Sequence, residues 1–178
     1  MEKKNNYIFI FLTIVAWIIF VGLCIEAGAL IVNFVFSLYK PEFVQNLYQK
    51  LDLSEMYTYS KWDFFNMYTF ILAISLLKAY LFYIVVMLIS KLDLEKPFDS
   101  FVSKQITQIS YFTFSIGLLS SLAQHTAKNL MHQGYEIDIL DQFWADSEAF
   151  ILMSAIIYII ASIVKRGVEI QNENDLTV

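Results

Sequence analysis

Four long apolar stretches, each interrupted by at most one charge, constrain this 178-residue chain more tightly than anything else in it. They run from about Tyr7 to Leu38, Phe64 to Ser90, Ser103 to Ala123 and Ala149 to Val164. A helix needs about 20 apolar residues to cross the hydrocarbon layer of a bilayer. Backbone groups that cannot reach water in lipid must bond within their own segment, so each stretch has to be helical. The expectation is an all-α, membrane-embedded four-helix bundle made of one domain, with residues 165–178 as a cytoplasmic tail. The chain is 58% hydrophobic and only 16% charged, whereas a soluble domain carries about 25% charged residues. A soluble fold of this length would leave the surplus apolar surface in water.

The beginning of the chain imitates a secretory signal, with Lys3 and Lys4 ahead of an apolar run and Ala27-Gly28-Ala29 beyond it. The run from Tyr7 to Ile25 is too long for the apolar region of such a signal, and apolar residues resume at Leu30, so an uncleaved first span is expected. Its length calls for tilt or for projection beyond the membrane, and Pro41 follows as a stop. The single cysteine, Cys24, excludes an intramolecular disulfide and a cysteine-based zinc site. Leu23 directly before it does not fit a lipoprotein signal.

Basic residues set the expected orientation. With the N-terminus inside, the cytoplasmic segments hold Lys3, Lys4, Lys91, Lys96, Lys104, Lys165 and Arg166. The outer segments hold Lys40, Lys50, Lys61 and Lys128 together with most of the carboxylates. An N-in, C-in topology follows. Residues 39–63 are rich in aromatic rings, among them Tyr39, Phe43, Tyr48, Tyr57, Tyr59 and Trp62. They predict a short helical segment lying on the outer end of the bundle, at the level where such rings are favoured. Residues 91–100 read as a tight inner turn, in which Pro97 ends one helix and Asp99 or Ser100 caps the next. Residues 124–148 read as a polar outer segment broken at Gly134.

Two intramembrane charges lead the functional candidates, because an ionisable group in a span is costly unless it is paired or hydrated. Glu26 and Lys78 differ in height by roughly 10 Å in upright helices, a gap that tilt and a long lysine side chain would close. They serve either as a stabilising pair, with the lysine otherwise snorkelling towards water, or as groups that handle an ion, a proton or a ligand. Span three carries Thr107, Ser110, Thr113, Gly117, Ser120, Ser121 and Gln124 at steps of three and four, hence on one face. Small residues spaced this way let helices approach closely; the alternative is a polar cavity wall. His125 and His132 stand near Glu136, Asp138 and Asp141, but seven residues separate the histidines and no metal site is expected. The sequence holds no GxSxG, HExxH, P-loop or GxGxxG motif. Neither a catalytic residue nor a cofactor is assigned. The formal charge of −5 argues against direct nucleic-acid binding.

The tail Gly167-x-x-Ile170-Gln171-x-Glu173-Asn174-Asp175-Leu176-Thr177-Val178 resembles the ending of a bacterial membrane family, domain of unknown function 2975. The stretch Leu92-Asp93-Leu94-Glu95-Lys96-Pro97-Phe98 resembles the same family's Pro-Phe turn between spans two and three. With the four-span layout, the similarity extends over essentially the whole chain; the long aromatic first outer segment departs from it. The resemblance implies a multi-pass protein of the bacterial cytoplasmic membrane, of a family without an agreed activity. Members are often encoded beside a small helix-turn-helix regulator. Glu169, Gln171, Glu173 and Asp175 then become candidates for contact with such a partner, and the expected function is that of a non-enzymatic sensor or regulatory protein. The alternative is a small transporter or binding protein for an ion, lipid or apolar ligand, for which four spans are few unless a second copy joins. A subunit of a larger membrane assembly would look the same in sequence.

Overall fold

The computed structural model describes residues 2–40, 44, 52–92, 99–135, 140–144 and 146–175, with side chains from Tyr7 to Glu173 within these ranges. The described residues form six helices and no strand: α1 Glu2–Tyr39, α2 Ser54–Tyr59, α3 Lys61–Lys91, α4 Ser100–His132, α5 Asp141–Trp144 and α6 Ser147–Asp175. Four of them are long and apolar enough to cross a membrane, as the four apolar stretches predict. The expected stop at Pro41, the rings of Phe43 and Tyr48, the turn around Pro97, and Glu136 and Asp138 lie outside the described residues.

The four long helices form an antiparallel bundle in which each packs on its neighbour in the chain: α1 on α3, α3 on α4, α4 on α6. Ring contacts fix the pairing of α1 with α3, Phe20 meeting Tyr83 at one end and Phe34 meeting Phe65 at the other. Tyr80 against Phe112 does the same for α3 and α4, and Tyr111 against Tyr158 for α4 and α6. One end of the bundle, the termini end, therefore gathers the start of α1 and the end of α6. The opposite cap end carries α2 and α5. The helical segment expected over the end of the bundle is α2, whose Met56 is buried and whose Tyr57 ring meets Phe64 edge-on.

Burial is unevenly spread along the bundle axis. Among the described residues the large side chains that are fully buried, including Leu30, Phe64, Tyr68, Ile71 and Trp144, gather toward the cap end, with Ile116 at mid-height on α4. Many large apolar side chains point outward all along the bundle: Ile10, Ile14 and Ile18 on α1, Tyr83 on α3, Phe114 on α4, Ile159 and Ile163 on α6 toward the termini end, and Val32, Phe36, Leu122 and Leu152 toward the cap end. Large apolar residues withdraw from their surroundings where those surroundings are water. Lipid is as apolar as they are and exerts no such drive. The outer surface of the long helices thus suits hydrocarbon, and the cap end differs in having a densely packed interior beneath that surface.

The helices exceed their predicted spans at the cap end. On α4 the helix runs on beyond Ala123 to His132 and stops at Gly134, where φ is +99°, a conformation that suits glycine. The expected break at Gly134 is therefore where the helix terminates, while the residues from Gln124 to His132 are helix rather than loop.

Candidate functional site

The site assembles around Lys78, at mid-height on α3. Its Nζ donates to the carbonyl oxygen of Phe143 at 3.1 Å, a residue 65 positions away in the four-residue helix α5. The approach of α4 to α6 explains how α5 reaches that depth. A Cβ on Gly117 would lie 3.0 Å from the Ser147 carbonyl, so α6 begins at the level of Gly117. From there α4 continues for about 22 Å to His132 at 1.5 Å per residue. The chain beyond Gly134 must therefore return toward the middle of the bundle before α6 starts. Leu140, Phe143 and Trp144 arrive there buried, and Trp144 Nε1 donates to Asp141 at 3.1 Å. Asp146, with φ 65°, supplies the reversal into α6, and its carbonyl accepts from the Phe150 amide at 3.1 Å.

A four-residue helix has no internal partner for its last carbonyls. Lys78 supplies one at Phe143, and a cation is favoured at a helix C-terminus in any case. Glu26 on α1 is half-buried and exerts its field on Lys78 through space. The two form no salt bridge; the ion pair found within 4.0 Å among the described residues joins Arg166 to Glu169. The direct partner of Lys78 is a backbone carbonyl rather than Glu26.

The polar face of α4 is a packing surface over most of its length. Ser110, Thr113, Gly117 and Ser120 are buried, whereas Ser121 is exposed and Thr107 and Gln124 are half-buried. Thr113 Oγ1 donates to the Ile109 carbonyl at 2.7 Å and Thr107 Oγ1 to the Ser103 carbonyl at 2.8 Å, so both hydroxyls are satisfied by their own helix. At Gly117 the α6 backbone comes so close that an added Cβ would stand 2.9 Å from the Ile151 nitrogen. His125 and His132 are exposed, and no group of three metal-ligating side chains occurs among the described residues. Cys24 faces outward from α1 rather than into the bundle.

At the termini end, α6 does not stop at Gly167. It continues through Glu169, Gln171 and Glu173 to Asp175. Glu169 and Glu173 are exposed and Gln171 is half-buried, while Arg166 and Glu169 pair at 2.9 Å. Residues 176–178 lie outside the described residues.

No protein-family model, no curated protein and no solved structure matches the chain. Two features of the site escape the sequence. The re-entry of α5 carries no signal beyond Leu140, Phe143 and Trp144 standing in an otherwise polar segment. The Lys78–Phe143 contact links segments whose proximity no local pattern encodes.

Proposed function

We propose that the chain is a non-enzymatic, multi-pass protein of the bacterial cytoplasmic membrane that holds or releases a small helix-turn-helix regulator through the end of α6. The observation that carries this reading is the continuation of α6 as helix through Glu169 and Glu173 to Asp175, past the apolar belt. A helical tail is already ordered, so a partner meeting it gives up less conformational freedom than it would on a coil. Exposed carboxylates on that helix suit a basic recognition helix, which is built to meet phosphate. Ile170, exposed between them, offers an apolar anchor.

The orientation in this proposal follows the basic residues. Lys91, Lys104, Lys165 and Arg166 stand at the termini end, which favours that end as the cytoplasmic one. The resemblance of the tail and of the 92–98 turn to domain of unknown function 2975 supplies the expected partner class. The transporter reading finds less support, because Lys78 is engaged by the Phe143 carbonyl.

The test is co-expression with a helix-turn-helix protein encoded beside this one, followed by membrane fractionation. The regulator should sediment with membranes holding the full chain and stay soluble when residues 168–178 are removed. Glu169→Lys with Glu173→Lys should release it as the truncation does. A regulator that remains on the membrane with both variants contradicts the proposal.

A further inference from the structure

Beyond the tail, we infer that the seam between α4 and α6 at the termini end is a binding site for an anionic phospholipid, whose phosphate sits between Lys104 and Lys165. A cavity of about 520 Å³ opens there between the first turns of α4 and the stretch of α6 around Val168. Lys104 and Lys165 both line it, both are exposed, and neither forms an ion pair among the described residues. Glu169 also lines it and pairs with Arg166 at 2.9 Å, so that pair adds no net charge beside the two ammonium groups. Two cations facing one cavity attract an oxyanion with several acceptor oxygens, such as a phosphodiester.

The cavity wall adds uncharged donors. Ser103 lines the cavity and is only 8% exposed. Its hydroxyl is a short-range donor on the same wall as the two lysines. Gln108 adds an amide to the same wall. The first turn of α4 is left uncapped, since Asp99 makes no side-chain bond to it, so the backbone N–H groups there also favour an anion.

A free phosphate would need nothing more, yet the site does not end there. Farther along the same seam lies an apolar cavity of about 290 Å³, lined by Phe114, Ile151 and Tyr158, and sharing Tyr111 with the first. Ser103 and Phe114 are separated by about 16 Å along α4. A compartment edged by two cations at the end of the apolar belt, followed by an apolar groove running into it, has the shape of one lipid: headgroup, glycerol and acyl chain in order. The same chemistry at lower occupancy would serve any phosphate-bearing amphiphile; the membrane offers anionic phospholipid in abundance.

Native mass spectrometry of the full chain released from detergent tests this, with phosphatidylglycerol and phosphatidylcholine as probes. Two lysines at the membrane surface should give phosphatidylglycerol a preference of roughly 30-fold. Lys104→Gln with Lys165→Gln should reduce the preference to near unity. Lys3→Gln with Lys4→Gln, which removes the same charge from the same end, should leave it intact. Ser103→Leu, which narrows the cavity without altering charge, should weaken retention of phosphatidylglycerol. Equal loss in both double-lysine variants would mean diffuse attraction rather than a site, and no preference in the unaltered chain would overturn the inference outright. Displacement of phosphatidylglycerol by millimolar inorganic phosphate alone would sink the lipid assignment by leaving the acyl groove without a role.

Discussion

At the scale of single residues, the chain is held by a few polar contacts in places where water does not compensate. Lys78 is the clearest case. Replacing it with Met keeps the apolar stem and removes the donor, leaving the Phe143 carbonyl unsatisfied in a buried setting. Such a loss costs about 1–3 kcal/mol, so Lys78→Met should lower the melting temperature in detergent and expose Trp144, read as a red-shifted tryptophan emission. An unchanged melting temperature would assign the lysine some other task. Tyr68 is a milder case: fully buried, it donates to the Leu30 carbonyl at 3.1 Å and ties α3 to α1. Tyr68→Phe should cost about 0.5–1.5 kcal/mol, since that carbonyl is also a helix acceptor. The sequence marks Lys78 as a charge in need of a partner, because its setting is apolar on both sides. It cannot name that partner, which is a backbone oxygen brought in from another segment.

Among the elements, the approach of α4 to α6 decides where α5 lies. A Cβ at position 117 would press on the Ile151 nitrogen and the Ser147 oxygen, backbone atoms that cannot rotate away. Gly117→Ala should therefore push the helices apart and destabilise by about 1–3 kcal/mol, the range for overpacking. Gly22→Ala meets nothing within 4 Å and should be tolerated, as thermal unfolding of the two variants side by side would check. The periodic small residues of span three make this face legible in the sequence, because close packing needs small side chains at helical spacing. Its outer boundary is not legible there. Residues from Gln124 to His132 are polar enough to read as loop, yet remain helix because Ala127 and Leu130 face the cap core. The tail is the converse: Gly167 looks like a terminator, but α6 continues through it.

Viewed whole, the molecule divides by surroundings rather than by sequence. The four spans are legible because hydrocarbon imposes length and apolarity on any helix that crosses it. The cap is not, because its core is assembled from α2, α5 and the far ends of α1, α3 and α4, none of which announces a shared core locally. Cys24 provides a native probe of the boundary: exposed on α1 within the apolar stretch, it should resist a membrane-impermeant maleimide in intact vesicles and react once detergent removes the lipid. Reaction at equal rates before and after would place that stretch in water.

Whether the four long helices cross a bilayer with the cap outside is tested most directly by scanning single cysteines in a Cys24→Ser background in intact cells. Tyr59→Cys at the cap should label with impermeant maleimide, Glu173→Cys on the tail only after permeabilisation, and Ile159→Cys on α6 in neither state until detergent is added. Rapid labelling of Ile159→Cys with the membrane intact, or of Glu173→Cys from outside, would contradict the account.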